Sequence, residues 1–164
     1  MPDAMKKLTR NQFIPFLDVQ KDSTFAASSW KRVDYSTIFE LTMNEQEEDM
    51  DYICFENAVT EINSNKPELP QEIACYEGNP IYDFMAKEFF EMPTGADTKV
   101  PFLMCFGGET KRAWRCITTL TSKVLNTVDG KITFSIKMGG DIEKGTYNIL
   151  DGVPTFTAAV ESNV

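Results

Sequence analysis

The sequence predicts a mainly β protein, an antiparallel β-sandwich or barrel with one short α-helix packed on it. Three observations carry that expectation. Lys131 to Met138 alternates strictly, with Ile132, Phe134, Ile136 and Met138 facing one way and Thr133, Ser135 and Lys137 the other. Turn signals such as Asp129-Gly130, Gly139-Gly140 and Asp151-Gly152 recur between apolar runs. A helical pattern occurs once, after Glu77-Gly78-Asn79-Pro80, with Asn79 placed as N-cap, Pro80 as first helical residue, and Ile81, Phe84, Met85 and Phe89 on one face. A helix of about three turns is too short to stand alone in water, so a sheet must supply its apolar contacts.

From the N-terminus, Phe13 to Val19 is a first strand, Gln20 to Thr24 a polar loop, and Trp30 to Val33 a short second strand. Ser36 to Met43 alternates, Ile38, Glu40 and Thr42 against Phe39, Leu41 and Met43, which predicts a half-buried strand. Asn44 to Asp49 is then the turn and Tyr52 to Phe55 the return of an acidic-tipped hairpin. Asn63 to Pro70 is a polar connector whose prolines disfavour ladder pairing, followed by an extended Gln71 to Tyr76. The helix is expected to end near Met92-Pro93, and Thr94 to Lys99 to be a polar loop.

Val100 to Phe106 is a continuous apolar run, the mark of a strand covered on both faces. Gly107 to Lys111 turns the chain into Ala113 to Thr121, where Trp114, Cys116, Thr118 and Leu120 alternate against Arg115, Ile117 and Thr119. After the strictly alternating strand, Thr146 to Ile149 and Val153 to Ala159 make the last pairings around Asp151-Gly152. No repeat at a period of a few tens of residues is visible.

At 164 residues the chain has the size of one domain, and 42% hydrophobic content with twelve Phe suffices for a core. The longest apolar runs are too short to span a bilayer, and MPDAMKKLTR is not followed by an apolar core, so a soluble chain made in the cytoplasm is expected. The net charge of -9 disfavours equilibrium binding to nucleic acid, which draws on Lys and Arg at phosphates. With no histidine and no CxxC pair, neither a metal site nor any other cofactor is expected, and Cys54, Cys75, Cys105 and Cys116 are read as reduced, half-buried packing residues. No nucleophile-elbow or phosphate-cradle motif occurs, so no catalytic residues are assigned. Glu40, on the polar side of its predicted strand, is either solvated or faces an enclosed aqueous space.

Several segments together resemble a known family. Arg10 to Val19 followed by Trp30-Lys31-Arg32-Val33, the hairpin into Asp51-Tyr52-Ile53 and Thr60-Glu61-Ile62, and Glu77 to Phe84 are similar in order and spacing to the major tail tube proteins of siphophages. Gly139-Gly140-Asp141 followed by Lys144-Gly145-Thr146 extends the likeness over nearly the whole chain. These are the proteins of long non-contractile tails in phages and prophages of Gram-positive bacteria. The acidic stretch from Asn44 to Asp51 and the glycine-poor Lys123 to Val128 depart from the family pattern.

The resemblance implies a single tail-tube-like domain over 1-164 that closes into hexameric rings, stacked into a virion tail tube around a DNA conduit. Its partners would be sister copies, a tape measure, a tail terminator and baseplate or distal tail proteins, with DNA passing without specific binding. A negative bore would repel phosphates, which points to Glu40, Glu47, Glu48, Asp49 and Asp51 near the lumen or a ring interface. Stacking falls to a flexible N-terminal arm, 1-12, a C-terminal tail, 158-164, and the Ala96 to Lys99 loop, with Arg10, Asn11 and Lys99 as candidates. The competing readings are a soluble monomeric β-sandwich that binds carbohydrate or protein, and a hydrolase built on paired carboxylates.

Overall fold

A computed structural model describes residues 4–159. Ten strands and one helix follow in the order β1 (Ile14–Asp18), β2 (Trp30–Arg32), β3 (Gln46–Met50), β4 (Val59–Ser64), β5 (Glu68–Ala74), α1 (Pro80–Glu91), β6 (Lys99–Cys105), β7 (Arg112–Asn126), β8 (Lys131–Met138), β9 (Glu143–Leu150) and β10 (Val153–Ala158). Short 3-10 turns occupy Arg10–Gln12 and Gly95–Thr98. Eight strands form one antiparallel sheet, ordered β10-β9-β7-β6-β1-β2, with β8 on β7 and β5 on β8.

The sheet curls because one edge of β7 is shared. Residues 118–126 of β7 pair with β8, whereas Arg112 to Arg115 pair with β9. The chain therefore leaves β7 at Met138, bends through Gly139-Gly140, where Gly140 takes φ 63°, and rejoins it at Glu143. A left-handed residue there favours glycine, which has no Cβ to clash. A bulge at Ser122 and Lys123 adds a second bend, since Thr121 pairs Ser135 while Val124 pairs Thr133.

Each face of the curl encloses a core. The larger one gathers Leu17, Ile73, Phe102, Phe134 and Ile136 against Ile81, Phe84 and Met85 of α1. The smaller holds Phe16, Leu103, Cys105 and Ala113, with Trp30, Tyr147 and Phe156 packed around them. β6 sends Val100, Phe102 and Met104 to one core and Leu103 and Cys105 to the other, which explains its unbroken apolar run. In α1, Asn79 Oδ1 accepts from the Ile81 amide, Pro80 is the first helical residue, and Met92 ends the helix at φ 46°. Asp151 and Gly152, both at positive φ, make the two-residue turn between β9 and β10.

Four local expectations are corrected. Ser36 to Met43 is not a strand: it runs beside β5 and bridges it only at Ser36 to Ile73 and Thr42 to Glu68. Asn44 to Asp49 is not a turn, because Gln46–Met50 is itself β3, and the return strand is Val59–Ser64 rather than Tyr52 to Phe55. The supposed connector Asn63 to Pro70 contains the end of β4 and the start of β5. Pro70 is tolerated because β5 makes ladder pairs only with β8 and leaves its other edge sparsely bridged. Cys54 is exposed rather than half-buried. Cys105 and Cys116 are buried, and desolvation of the thiolate pushes each thiol up to about 12, so both pack as small apolar groups.

Candidate assembly surface

β3 and β4 form a separate two-stranded sheet outside the main one. Every residue of the hairpin from 51 to 64 is exposed, and among the described residues no other strand pairs with either edge. Its register sets Glu47 opposite Ile62, Glu48 opposite Glu61, Asp49 opposite Thr60 and Met50 opposite Val59. Like charges directly across a pair oppose pairing. Only neutral donors offset this: Asn63 Nδ2 donates to Glu48 at 3.1 Å, the Tyr52 hydroxyl to Glu61 at 3.1 Å, and Thr60 Oγ1 to Asp49 at 2.7 Å.

Between Asn44 and Asn65 the chain carries seven carboxylates and no Lys or Arg. Among the described residues no lysine or arginine lies within ion-pair distance of any of them. The tip is apolar as well as acidic. Ile53 is fully exposed, Phe55 is 56% exposed, and the Tyr52 and Phe55 rings meet edge to face at 6.2 Å. An isolated hairpin is marginal in water, and this one has both faces wet and a carboxylate pair in its ladder.

At the foot of the hairpin, the outer face of the main sheet forms an open cleft of about 1010 Å³. Pairing places Lys99, Thr119, Lys137 and Glu68 in one row across β6, β7, β8 and β5. Lys66 comes in from the turn between β4 and β5, while Ile117 and Pro67 supply apolar floor. Lys99 Nζ donates to Thr119 Oγ1 at 2.7 Å, and none of the three lysines has a carboxylate partner among the described residues. Glu68, the one acid of the lining, is engaged by Ser135 Oγ at 2.5 Å and Asn44 Nδ2 at 3.3 Å. Three cations against one anion make this a positive patch on a chain of net charge -9.

The residues singled out from sequence are distributed unevenly. Glu47, Glu48 and Asp49 lie on β3 with Asp51 just beyond it, but Glu40 is exposed on the irregular segment beside β5. Arg10 and Asn11 line a different groove, with Phe13, Arg32 and Phe39, so Lys99 is not joined to them. Part of each predicted terminal segment, residues 1–3 and 160–164, lies outside the described residues. Sequence reasoning missed Lys66, Lys137, Glu61 and Ile53. The lysine row draws on separated segments, and only the cross-strand register could have revealed it.

Glu88 ties the helix to the sheet. Its side chain is 2% exposed and pairs with Lys21 of the β1–β2 loop, with Lys123 of the β7 bulge at 4.0 Å. Asp18, fully buried, accepts backbone amides from Gln20, Asp22 and Ser29 at 2.9, 3.0 and 2.8 Å and so shapes the loop that carries Lys21. Among the described residues, no group of three or more acidic or cysteine side chains could hold a metal ion.

No protein-family model matches the sequence, and no curated protein matches it. Solved structures do. A chain of the virion of a native gene transfer agent particle aligns at TM-score 0.56 and 10% identity, over 93% of this chain and 100% of that one. A chain from the tail of the empty gene transfer agent particle, a structure of C6 symmetry, aligns at TM-score 0.57 and 10% identity with the same coverage. At such identity the likeness is one of fold, and it covers 93% of this chain and 100% of each of the two others.

Proposed function

We propose that this chain is a structural tail protein that self-assembles into hexameric rings, stacked as a tube through which DNA reaches the host. The observation that carries the reading is the end-to-end fold likeness to a chain from a C6-symmetric tail, with TM-score 0.57 and 93% of this chain covered. The exposed hairpin supports it, because contacts between sister copies would cover edges and apolar groups that otherwise promote disordered aggregation. In a ring, heterologous contacts close on themselves, while the same kind of contact along the axis propagates a stack.

In this reading the whole chain acts as one tail-tube domain without catalytic function, in the long non-contractile tail of a phage or prophage of Gram-positive bacteria. Synthesis is in the host cytoplasm and residence is in the virion tail. The chain's partners are sister copies, a tape measure, a tail terminator and baseplate or distal tail proteins. Net negative charge keeps DNA mobile in the bore, since phosphates meet repulsion rather than counterion-releasing cations. Glu40, Glu47, Glu48, Asp49 and Asp51 sit near the bore or a ring interface. The terminal segments 1-12 and 158-164, with Arg10, Asn11 and Lys99, contribute to stacking.

Size-exclusion chromatography across a concentration series, followed by negative-stain imaging, tests the assignment. Annuli or tubes are expected at high concentration. A protein that stays monomeric throughout, and forms no ring or tube in virion preparations, refutes it and favours a monomeric binding module.

A further inference from the structure

We propose that the lysine cleft of one copy seats the acidic hairpin of the next copy. The inference rests on the self-assembly reading and adds which two surfaces meet. The hairpin springs from the rim of its own cleft, where Asn44 and Ser64 form part of the lining, and its strands pair only with each other. The waiting lysines are thus available to a second molecule. Glu48 and Glu61, opposed across the ladder with neutral donors only, gain cationic partners if Lys66, Lys99 and Lys137 approach. An apolar match accompanies the charge match, since Ile53 and Phe55 at the tip are exposed and the partly exposed Ile117 offers them an apolar contact in the cleft.

Geometry agrees with that pairing. Glu48 and Glu61 share one face of the hairpin about 5 Å apart, and lysines two strands apart stand about 10 Å apart, within reach of flexible side chains. Hairpin and cleft are different surfaces, so the contact is heterologous and leaves a free hairpin at one end and a free cleft at the other. The charge component weakens as salt shortens the Debye length from about 8 Å at 0.15 M to about 3 Å at 1 M.

The test mixes unlabelled and 15N-labelled full-length protein at assembling concentration and treats it with a carbodiimide, which joins carboxylates to lysine amines with loss of water. Mixed-isotope peptides linking the stretch from Glu47 to Glu61 to Lys66, Lys99 or Lys137 are expected. Inter-copy links that avoid these lysines overturn the docking while leaving self-assembly standing. No inter-copy links and no particles at any concentration overturn self-assembly and the docking with it. As a second arm, Lys66→Glu, Lys99→Glu and Lys137→Glu together should raise the half-assembly concentration about tenfold or more, a shift of about 1.4 kcal/mol. Adding Glu48→Lys and Glu61→Lys should restore most of it. Circular dichroism and melting of each variant at low concentration confirm folding, since every altered side chain is exposed. Equal assembly by the lysine-reversed variant and the parent also overturns the docking.

Discussion

Asp18 is the side chain whose removal should most disturb the monomer. Its carboxylate is fully buried and accepts three backbone amides, those of Gln20 and Ser29 on Oδ1 and that of Asp22 on Oδ2. A hydrogen bond to a charged group contributes about 1.5–3 kcal/mol, but bonds sharing one acceptor do not add. The loop is partly exposed, so water recovers some of the loss. Asp18→Ala should therefore cost about 3–5 kcal/mol. Asp18→Asn keeps an oxygen for Gln20 and Ser29 but turns an amide against the Asp22 N–H, and should cost about 1–3 kcal/mol. For a chain of this size each kcal/mol moves Tm by about 2–4 °C. The alanine variant should melt roughly 10 °C lower and the asparagine variant in between. Urea unfolding by far-UV circular dichroism at dilute, non-assembling concentration measures both. The loop also carries Phe25, whose ring lies 4.3 Å from the Arg115 guanidinium carbon, so near-UV signals should change with it. If both variants stayed within about 0.5 kcal/mol of the parent, the three-amide anchor would be wrong.

Glu88→Ala strands Lys21 and Lys123 beside the helix and should cost about 2–3 kcal/mol, less than a fully buried pair because both lysines are partly exposed. Glu88→Met refills the space but leaves both lysines unpaired, so it should recover only a minor part of that in urea titrations. Asn79→Ala removes the acceptor of the Ile81 amide and should cost about 1 kcal/mol, whereas Asn79→Ser should cost less. In Gly145→Ala the new Cβ would stand 2.1 Å from the Thr157 carbonyl oxygen, so β9 and β10 must separate; hydrogen exchange should lose protection from Glu143 to Ala158 while β8 keeps its own. The Glu72 carboxyl is held below its ordinary value of 4.5, first by the Lys131 hydrogen bond and then by Thr37, and Asp22 is held below 3.8, chiefly by Thr24 and the Ala27 amide. Folded-state values that are lowered contribute stability above the ordinary value and lose it as pH falls through the lowered one. Tm should therefore drop on acidification below about pH 4.5, and combining Glu72→Gln with Asp22→Asn should flatten that limb.

Some of this architecture is written locally in the chain. Lys131 to Met138 alternates because one face of β8 meets the core, and that pattern needs no knowledge of its neighbours. Asn79-Pro80 starts the helix, and Asp151-Gly152 turns β9 into β10, through conformational preferences of the residues themselves. Where alternation existed without a full ladder, the pattern misled: Ser36 to Met43 has strand periodicity yet touches β5 at two bridges only. Where a ladder existed without apolar residues, the pattern was silent, and Gln46–Met50 became a strand because Val59–Ser64 lies beside it.

The alternation of β8, the Asn79-Pro80 helix start and the sign of the overall charge are short-range or additive properties, so residue order alone determined them. The lysine row could not be determined that way. Lys99, Lys137 and Glu68 share a row only because strands distant in sequence settled into one register, and a slip of one residue would send each side chain to the opposite face. Burial of the apolar faces chose that register. The same choice left the acidic hairpin unpaired and the lysines on the outer face, placing the two opposite charges at separate surfaces of one molecule.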